Sequence, residues 1–189
     1  WKATIGDFIY SITGNFSTLH NEVLSYADRA SRIVNYDASS TNYKIGTAFE
    51  KGYPIWYLLG YVYKGMDANG DPTYLAADGT ITTNPQTTDM TYIGQGTPKF
   101  TYGININMSW KGIDFALYGA GIGGNSILPV THRTGFKNNY RVYLEGYENG
   151  TMPHPSKILA FDLPFWSSTG NLFDGSFFRI KQLQLGYRS

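Results

Sequence analysis

Residues Phe100 to Trp110, FTYGININMSW, alternate without a break. Phe100, Tyr102, Ile104, Ile106, Met108 and Trp110 fall on one side, and Thr101, Gly103, Asn105, Asn107 and Ser109 on the other. Successive side chains of a strand point to opposite faces, so this segment describes a sheet with one apolar and one polar surface. The polar side holds small neutral groups that suit a water-filled interior. The apolar side begins and ends in aromatics, as a strand crossing a bilayer places them at its two interfaces. A tilted strand needs about 9–11 residues for that crossing. A soluble antiparallel sheet with one face on a core alternates in the same way, so periodicity alone leaves a soluble β-domain and a membrane barrel both open.

The pattern recurs. Phe8, Tyr10, Ile12, Gly14 and Phe16 alternate with Ile9, Ser11, Thr13, Asn15 and Ser17. After a turn at Lys111–Gly112, Ile113, Phe115 and Leu117 alternate with Asp114, Ala116 and Tyr118. Near the end, Leu183, Leu185 and Tyr187 alternate with Gln182, Gln184 and Gly186. Four antiparallel strands are expected, at about 7–19, 100–110, 113–120 and 177–187, with 113–120 between 100–110 and 177–187. In the last of them Phe178 and Ile180 have the opposite parity to Leu183 and Leu185. A β-bulge near Lys181–Gln182 reconciles the two. The alternative keeps Arg179 and Lys181 on the outer face.

Charged residues make up 15% of the chain, against an average near 25%. That is a low density for a surface wholly in water and an ordinary one where part of it meets lipid. A net charge of +1 and no basic run give no reason to expect a nucleic-acid partner. Cysteine is absent, which rules out a disulfide framework and thiol metal ligands. No stretch approaches about 18 consecutive apolar residues, so no transmembrane helix is expected. Both termini fall in mid-pattern, and the chain reads as a piece of something larger.

Trp1-Lys2 leads through Ala3–Gly6 to Asp7-Phe8, and Trp110-Lys111 leads through Gly112 and Ile113 to Asp114-Phe115. Outer-membrane barrels join strands by short turns on the periplasmic side and long loops outside. The two short turns would then be periplasmic, with Trp1 and Trp110 in the inner aromatic girdle. The other connections, about 21–98 and 121–175, would be extracellular loops. Loops of that length without structure of their own would be unusual in a compact soluble domain. In the first, SYADRASRIV suits a helical turn or two, and Ile55 to Tyr63 reads as one strand apolar on both faces. The second is mostly irregular.

Signals for chemistry are weak. GAGIGGN, Gly119 to Asn125, follows a strand as a phosphate loop would, but Pro129 stops the helix such a loop needs. Asp67, Asn69 and Asp71, with Asp78 and Asp89 beyond, have oxygen ligands suited to calcium. The glycine needed at the sixth position is missing, and a pair of Asn-Gly and Asp-Gly turns explains the segment as well. His20, His132 and His154 lack ligand spacing. No nucleophile elbow and no acid–base carboxylate pair is present, so no enzyme and no cofactor is expected. Aromatic loop residues Trp56, Tyr57, Tyr61, Tyr140 and Trp166 are candidates for contact with sugars or peptides. Each of them could equally be packed inside its loop.

Three segments in order, EKGYPIWYLLGYVYKGMD, TYIGQGTPKFTYGININMSWKGIDFALYGAGIGGN and LFDGSFFRIKQLQLGY, resemble the C-terminal part of SusC/RagA-type TonB-dependent outer-membrane transporters. GNFSTLHNEV resembles the strand before them. The resemblance implies an all-β fold: an antiparallel transmembrane wall segment of a 22-stranded barrel with long extracellular loops, the plug domain and the rest of the barrel lying elsewhere. Phe100, Tyr102, Ile104, Ile106, Met108 and Trp110 would face lipid. It further implies a bacterial outer-membrane importer of glycans or peptides, driven through TonB and working with a SusD-like surface lipoprotein. Tyr187-Arg188-Ser189 departs from the family's usual Thr-Leu-Pro continuation. The rival reading is a soluble β-rich carbohydrate-binding module.

Overall fold

The computed structural model describes residues 1–27, 31–36, 46–129, 140–158 and 164–188. Its strands are β1 (Lys2–Ile5), β2 (Phe8–Thr18), β3 (Ile33–Tyr36), β4 (Gly46–Phe49), β5 (Tyr57–Gly60), β6 (Tyr63–Met66) and β7 (Pro72–Leu75). Beyond them come β8 (Ile81–Thr82), β9 (Thr91–Gly94), β10 (Phe100–Trp110), β11 (Ile113–Gly123), β12 (Ser126–Ile127), β13 (Phe173–Asp174) and β14 (Phe177–Tyr187). Among the described residues, two short α-helices, α1 (Tyr140–Glu148) and α2 (Pro155–Ile158), lie between β12 and β13. No described helix is long and apolar enough to cross a membrane. The chain divides into two units, residues 1–20, 97–125 and 174–189 in the first and 21–96 with 126–173 in the second.

The first unit is one antiparallel sheet in the order β1-β2-β10-β11-β14. β10 is bonded along its whole length to β2 on one side and β11 on the other, from Phe100↔Thr18 to Trp110↔Phe8 and from Phe100↔Gly123 to Trp110↔Ile113. The β10–β11 hairpin closes through Lys111 and Gly112, both at positive φ (45° and 85°). Two successive left-handed residues make a mirror-image turn whose twist matches that of the strands. β11 runs to Gly123, so Gly119, Gly121 and Gly123 lie in a strand and the glycine-rich stretch forms no phosphate loop.

Three expectations are corrected here. The segment Ala3–Gly6 is not a turn: Lys2–Ile5 is a fifth strand, and the reversal falls at Gly6–Asp7 with Gly6 at φ 59°. Trp1 consequently lies beside Ile12, exchanging backbone hydrogen bonds of 2.8 Å each way, whereas Trp110 is level with Phe8 at the turn. The two tryptophans do not share a row. Third, SYADRASRIV yields no described helix: Ile33–Tyr36 is a strand paired with Gly46–Phe49, and residues 28–30 lie outside the described residues.

The parity conflict in β14 resolves as a bulge. Tyr118 pairs with Gln182 and Gly119 with Ile180, leaving Lys181 as the extra residue. The extra residue keeps Phe178, Ile180, Leu183 and Leu185 on one side of the sheet despite their change of parity. Arg179, opposite Ala120, stays on the other side.

The second unit has its own sheets, β3-β4-β5-β9 and β6-β7-β8. The run from Ile55 to Tyr63 is not one strand: β5 holds only Tyr57–Gly60, and Tyr63 opens β6. At Gly60 the chain leaves the ladder to meet Ser167 and Thr169: Tyr61 N donates to Ser167 O and Thr169 N to Tyr61 O, both at 2.9 Å. A Cβ on Gly60 would lie 2.1 Å from Ser167 O, so this close crossing requires glycine. Two clusters form the cores. One contains Ala48, Tyr57, Leu59, Tyr61, Tyr74 and Met90, the other Ile158, Phe165 and Trp166.

Candidate functional site: a sheet with two unlike faces

Directly opposed residues of an antiparallel pair share a face, so the register maps both surfaces. One surface carries Ala3 and Ile5; Phe8, Tyr10, Ile12, Gly14 and Phe16; Phe100 to Trp110 at even positions; Ile113, Phe115, Leu117 and Gly119; and Tyr187, Leu185, Leu183, Ile180 and Phe178. No charged residue interrupts it across five strands. The opposite surface carries Lys2 and Thr4; Ser11, Thr13, Asn15 and Ser17; Thr101, Asn105, Asn107 and Ser109; Asp114 and Tyr118; and Arg179, Gln182 and Gln184.

The apolar face is layered. At the hairpin end lie Phe8, Tyr10, Trp110, Phe115 and Tyr187; at the other end lie Phe16, Phe100, Tyr102 and Phe178; isoleucine and leucine fill the band between. Ring contacts run through the second group: Phe16 to Phe100 at 5.6 Å, Phe100 to Tyr102 at 6.1 Å and Tyr102 to Phe178 at 5.9 Å with planes 11° apart. Eleven residues at about 3.4 Å each, tilted by about 45°, rise roughly 25 Å, the height of an outer-membrane barrel's apolar band.

Exposure along this face is uneven. Leu185 is 76% exposed and Trp110 49%, while Phe100, Tyr102, Ile104, Ile106 and Met108 are half-buried rather than bare. The cause is lateral. Rings lie flat over glycines of the neighbouring strand, with Phe100 over Gly123, Tyr102 over Gly121 and Phe178 over Gly119. The sheet thus covers part of its own apolar face from within.

The polar face forms hydrogen bonds along its strands. Asn107 Nδ2 donates to Asn105 Oδ1 at 3.0 Å, and Gln182 Nε2 to Gln184 Oε1 at 3.3 Å. Near the hairpin a cleft of about 360 Å³ is lined by Lys2, Ser11, Asn107, Ser109, Asp114 and Gln184 among others. Arg188 grips Asp114 with two donors, Nε to Oδ2 at 3.0 Å and Nη2 to Oδ1 at 3.2 Å. Arg188 is mostly exposed, so the pair contributes little stability.

In the second unit, three of the aromatic candidates are core residues. Tyr57, Tyr61 and Trp166 are buried, and Trp166 Nε1 donates to Ile158 O at 3.0 Å. Their apolar bulk packs the unit and is not offered to a solute at its surface. Trp56 differs: it is 45% exposed, at φ 52°, with its ring 5.7 Å from Phe49. The side chain of Tyr140, at the start of α1, lies outside the described residues.

Asp67 is committed to its own turn, where Oδ1 accepts from Asn69 N at 2.8 Å and Asp71 N at 2.9 Å. These backbone donors hold its carboxyl below the usual range. Asp71 pairs with Lys157 at 3.0 Å. Asp78 accepts from Thr80, and Asp89 from Ala77 N and Gln86 N. No group of three potential ligands gathers among the described residues. His154 Nδ1 meets Ser156 Oγ at 2.6 Å, and His132 lies outside the described residues.

One network escaped the sequence reading. Glu50 Oε2 accepts from Arg32 Nε at 2.8 Å and from the Tyr57 hydroxyl at 2.6 Å, and Arg32 Nη1 donates to Met90 O at 3.2 Å. Burial pushes the Glu50 carboxyl up, but the bonds from Tyr57 and Arg32 outweigh it and leave the group below its ordinary value. Burial, with the bond to Glu50, pushes the Tyr57 hydroxyl up. Glu50 and Arg32 lie eighteen residues apart with no patterned signal, so only the fold brings them together.

No protein-family model matches the chain. It is 25% identical over 205 residues to TonB-dependent receptor P3 of Formosa agariphila, covering 96% of this chain and 20% of that protein. The RagAB peptide importer, in its closed-closed and open-open states, matches with a TM-score of 0.72 and 22% identity, over 98% of this chain and 21% of that one. A further structure of the RagAB peptide transporter matches at a TM-score of 0.69 with 20% identity. The chain spans about a fifth of the length of these relatives. This chain is thus similar in sequence to part of a TonB-dependent receptor, and in fold its antiparallel sheet matches part of the barrel transporter in the RagAB structures.

Proposed function

We propose that this chain supplies wall strands and loop structure to an active importer of the SusC/RagA type, which takes up oligosaccharides or peptides with energy relayed by TonB. The observation that carries the reading is the uncharged apolar face across β1, β2, β10, β11 and β14, on which Phe16, Ile180, Leu183 and Leu185 stay exposed. A contiguous patch of this extent needs a partner that is itself apolar, and lipid is that partner for a barrel wall. The polar face then lines the lumen. The Gly6–Asp7 and Lys111–Gly112 reversals lie on the periplasmic side, and the second unit lies outside the cell. Import needs no bond chemistry from these residues. Trp56, exposed on the second unit, is the aromatic candidate for solute contact, and a SusD-like lipoprotein is the expected surface partner.

The test is genetic and uses the whole receptor. Deleting it from its host should abolish energy-dependent uptake of one class, oligosaccharides or oligopeptides, and restoring it should return that uptake. Unchanged uptake of both classes would contradict the proposal. A soluble carbohydrate-binding module would leave the envelope without detergent, and release of the whole receptor in that way would favour that rival reading.

A further inference from the structure

We infer that the polar face carries an anion subsite, built by Arg179 and Lys181 with Asn15 and Thr101, that takes a carboxylate of a solute moving along that face; this rests on the import reading above. These four residues line one cleft of about 290 Å³, with Ala120, Ile122 and Phe177 among its other walls. That volume is at the lower end of ligand clefts, about 300–1,000 Å³.

The register shows how the cleft arises. Asn15, Gly103, Ala120 and Arg179 stand opposite one another in a single row across four strands. The two central residues are small, so the floor between Asn15 and Arg179 is low. The Asn15 carboxamide leans over Gly103: a Cβ there would lie 2.4 Å from Asn15 Oδ1. Glycine at 103 thus makes room for an amide on the side of the cleft facing the guanidinium. The bulge adds the second cation. Lys181 is the unpaired residue of β14, and its ammonium lies over the Tyr118 ring at 5.9 Å, on the polar side. Arg179 lies over Phe177 at 5.4 Å.

Neither cation has a carboxylate within ion-pair distance among the described residues. The one carboxylate on this face, Asp114, is taken by Arg188 at the opposite end of the sheet. Two cations lying over rings, with an amide and a hydroxyl that can each donate or accept beside them, leave an excess of donors and of positive charge that no described carboxylate there balances. A carboxylate satisfies it, because guanidinium and ammonium donors bind that group most strongly. The carboxylate could belong to a uronic acid or to the end of a peptide.

The experiment uses the full-length receptor in detergent and two matched probe pairs: oligogalacturonate with its methyl ester, and a short peptide acid with its amide. Binding of each is measured by calorimetry at low and at high salt. In at least one pair the carboxylate member should bind about tenfold more tightly, an advantage that shrinks in salt. Arg179→Gln with Lys181→Gln should remove the advantage and leave the neutral member unchanged. The pair that responds identifies the source of the carboxylate. Lys181→Gln alone, at the already irregular bulge, provides a second variant should the double one fail to fold, and should lower the advantage in part. Equal binding within both pairs, an advantage that survives the substitutions, or no binding of any probe would overturn the subsite. Failure of the import reading is seen separately, as no energy-dependent uptake of a probe whose binding advantage persists; that result leaves the subsite standing.

Discussion

Phe178 occupies the space that a side chain at Gly119 would need: a Cβ at Gly119 would lie 2.3 Å from Phe178 Cζ. The ring is held there by Tyr102, stacked on it at 5.9 Å. Gly119→Val should therefore displace the ring and cost about 1–3 kcal/mol, as overpacking does. Adding Phe178→Ala should recover part of that loss. Urea titration of the folded, heat-modifiable band of the full receptor reads both. Equal stability of Gly119→Val and the unaltered receptor would show that the ring is not needed there.

Neighbours in β10 should differ sharply in their tolerance of charge. Ile104 lies in the aliphatic band of the apolar face and Asn105 on the polar face. Ile104→Arg should cost about 2–4 kcal/mol at the bilayer midplane. Asn105→Arg should stay within about 0.5 kcal/mol, as a surface change does. Assembly yield in the outer membrane is the measurement, and similar yields from the two variants would count against a lipid-facing Ile104.

The Arg32–Glu50–Tyr57 network gives the second unit an acid sensitivity. The Glu50 carboxyl is lower in the folded chain than in the unfolded one, so its contribution is complete above the unfolded value, 4.5, and is lost as pH falls through the folded value. Glu50→Gln should cost about 1.5–3 kcal/mol at neutral pH, the range for a hydrogen bond to a charged group. The difference from the unaltered chain should narrow below about pH 4.5. Hydrogen exchange of β4 and β5 amides across pH tests this, and a gap that widens in acid would reverse the assignment.

Trp166 and Trp56 separate packing from contact. Trp166→Ala removes a buried ring and leaves Ile158 O without its 3.0 Å donor, so it should cost about 3–5 kcal/mol. Trp56→Ala should cost no more than about 1.5 kcal/mol, its ring contact with Phe49. It should weaken uptake with protein levels unchanged. Proteolysis of the loop unit, alongside uptake assays, distinguishes the two, and identical behaviour of the variants would remove Trp56 as a contact residue.

Strand content was readable wherever one face is apolar and the other polar. Phe100–Trp110 spans the eleven residues its alternation marks, and the parity break at Lys181 marks the bulge. β1 was missed because four residues are too few to show a period. The run from Ile55 to Tyr63 reads as one strand because both its faces are apolar, and what ends the strand at Gly60 is the crossing by Ser167, more than a hundred residues away. The aromatic candidates were chosen by residue type, which cannot tell a core ring from a surface one. Burial assigns Tyr57, Tyr61 and Trp166 to the core. Arg179 and Lys181 sit in β14 and Asn15 in β2, with β11 and β10 between them, and only the register places them in one cleft.

The central claim is that the even-numbered face of β10 meets lipid and the odd-numbered face meets water. Single cysteines placed at each position from 100 to 110 of the full receptor in bilayers, each spin-labelled, test it directly. Accessibility to oxygen should peak at 102, 104, 106 and 108, and accessibility to a water-soluble nickel chelate at 101, 103, 105 and 107. Uniform accessibility along the strand, or the opposite phase, would contradict it.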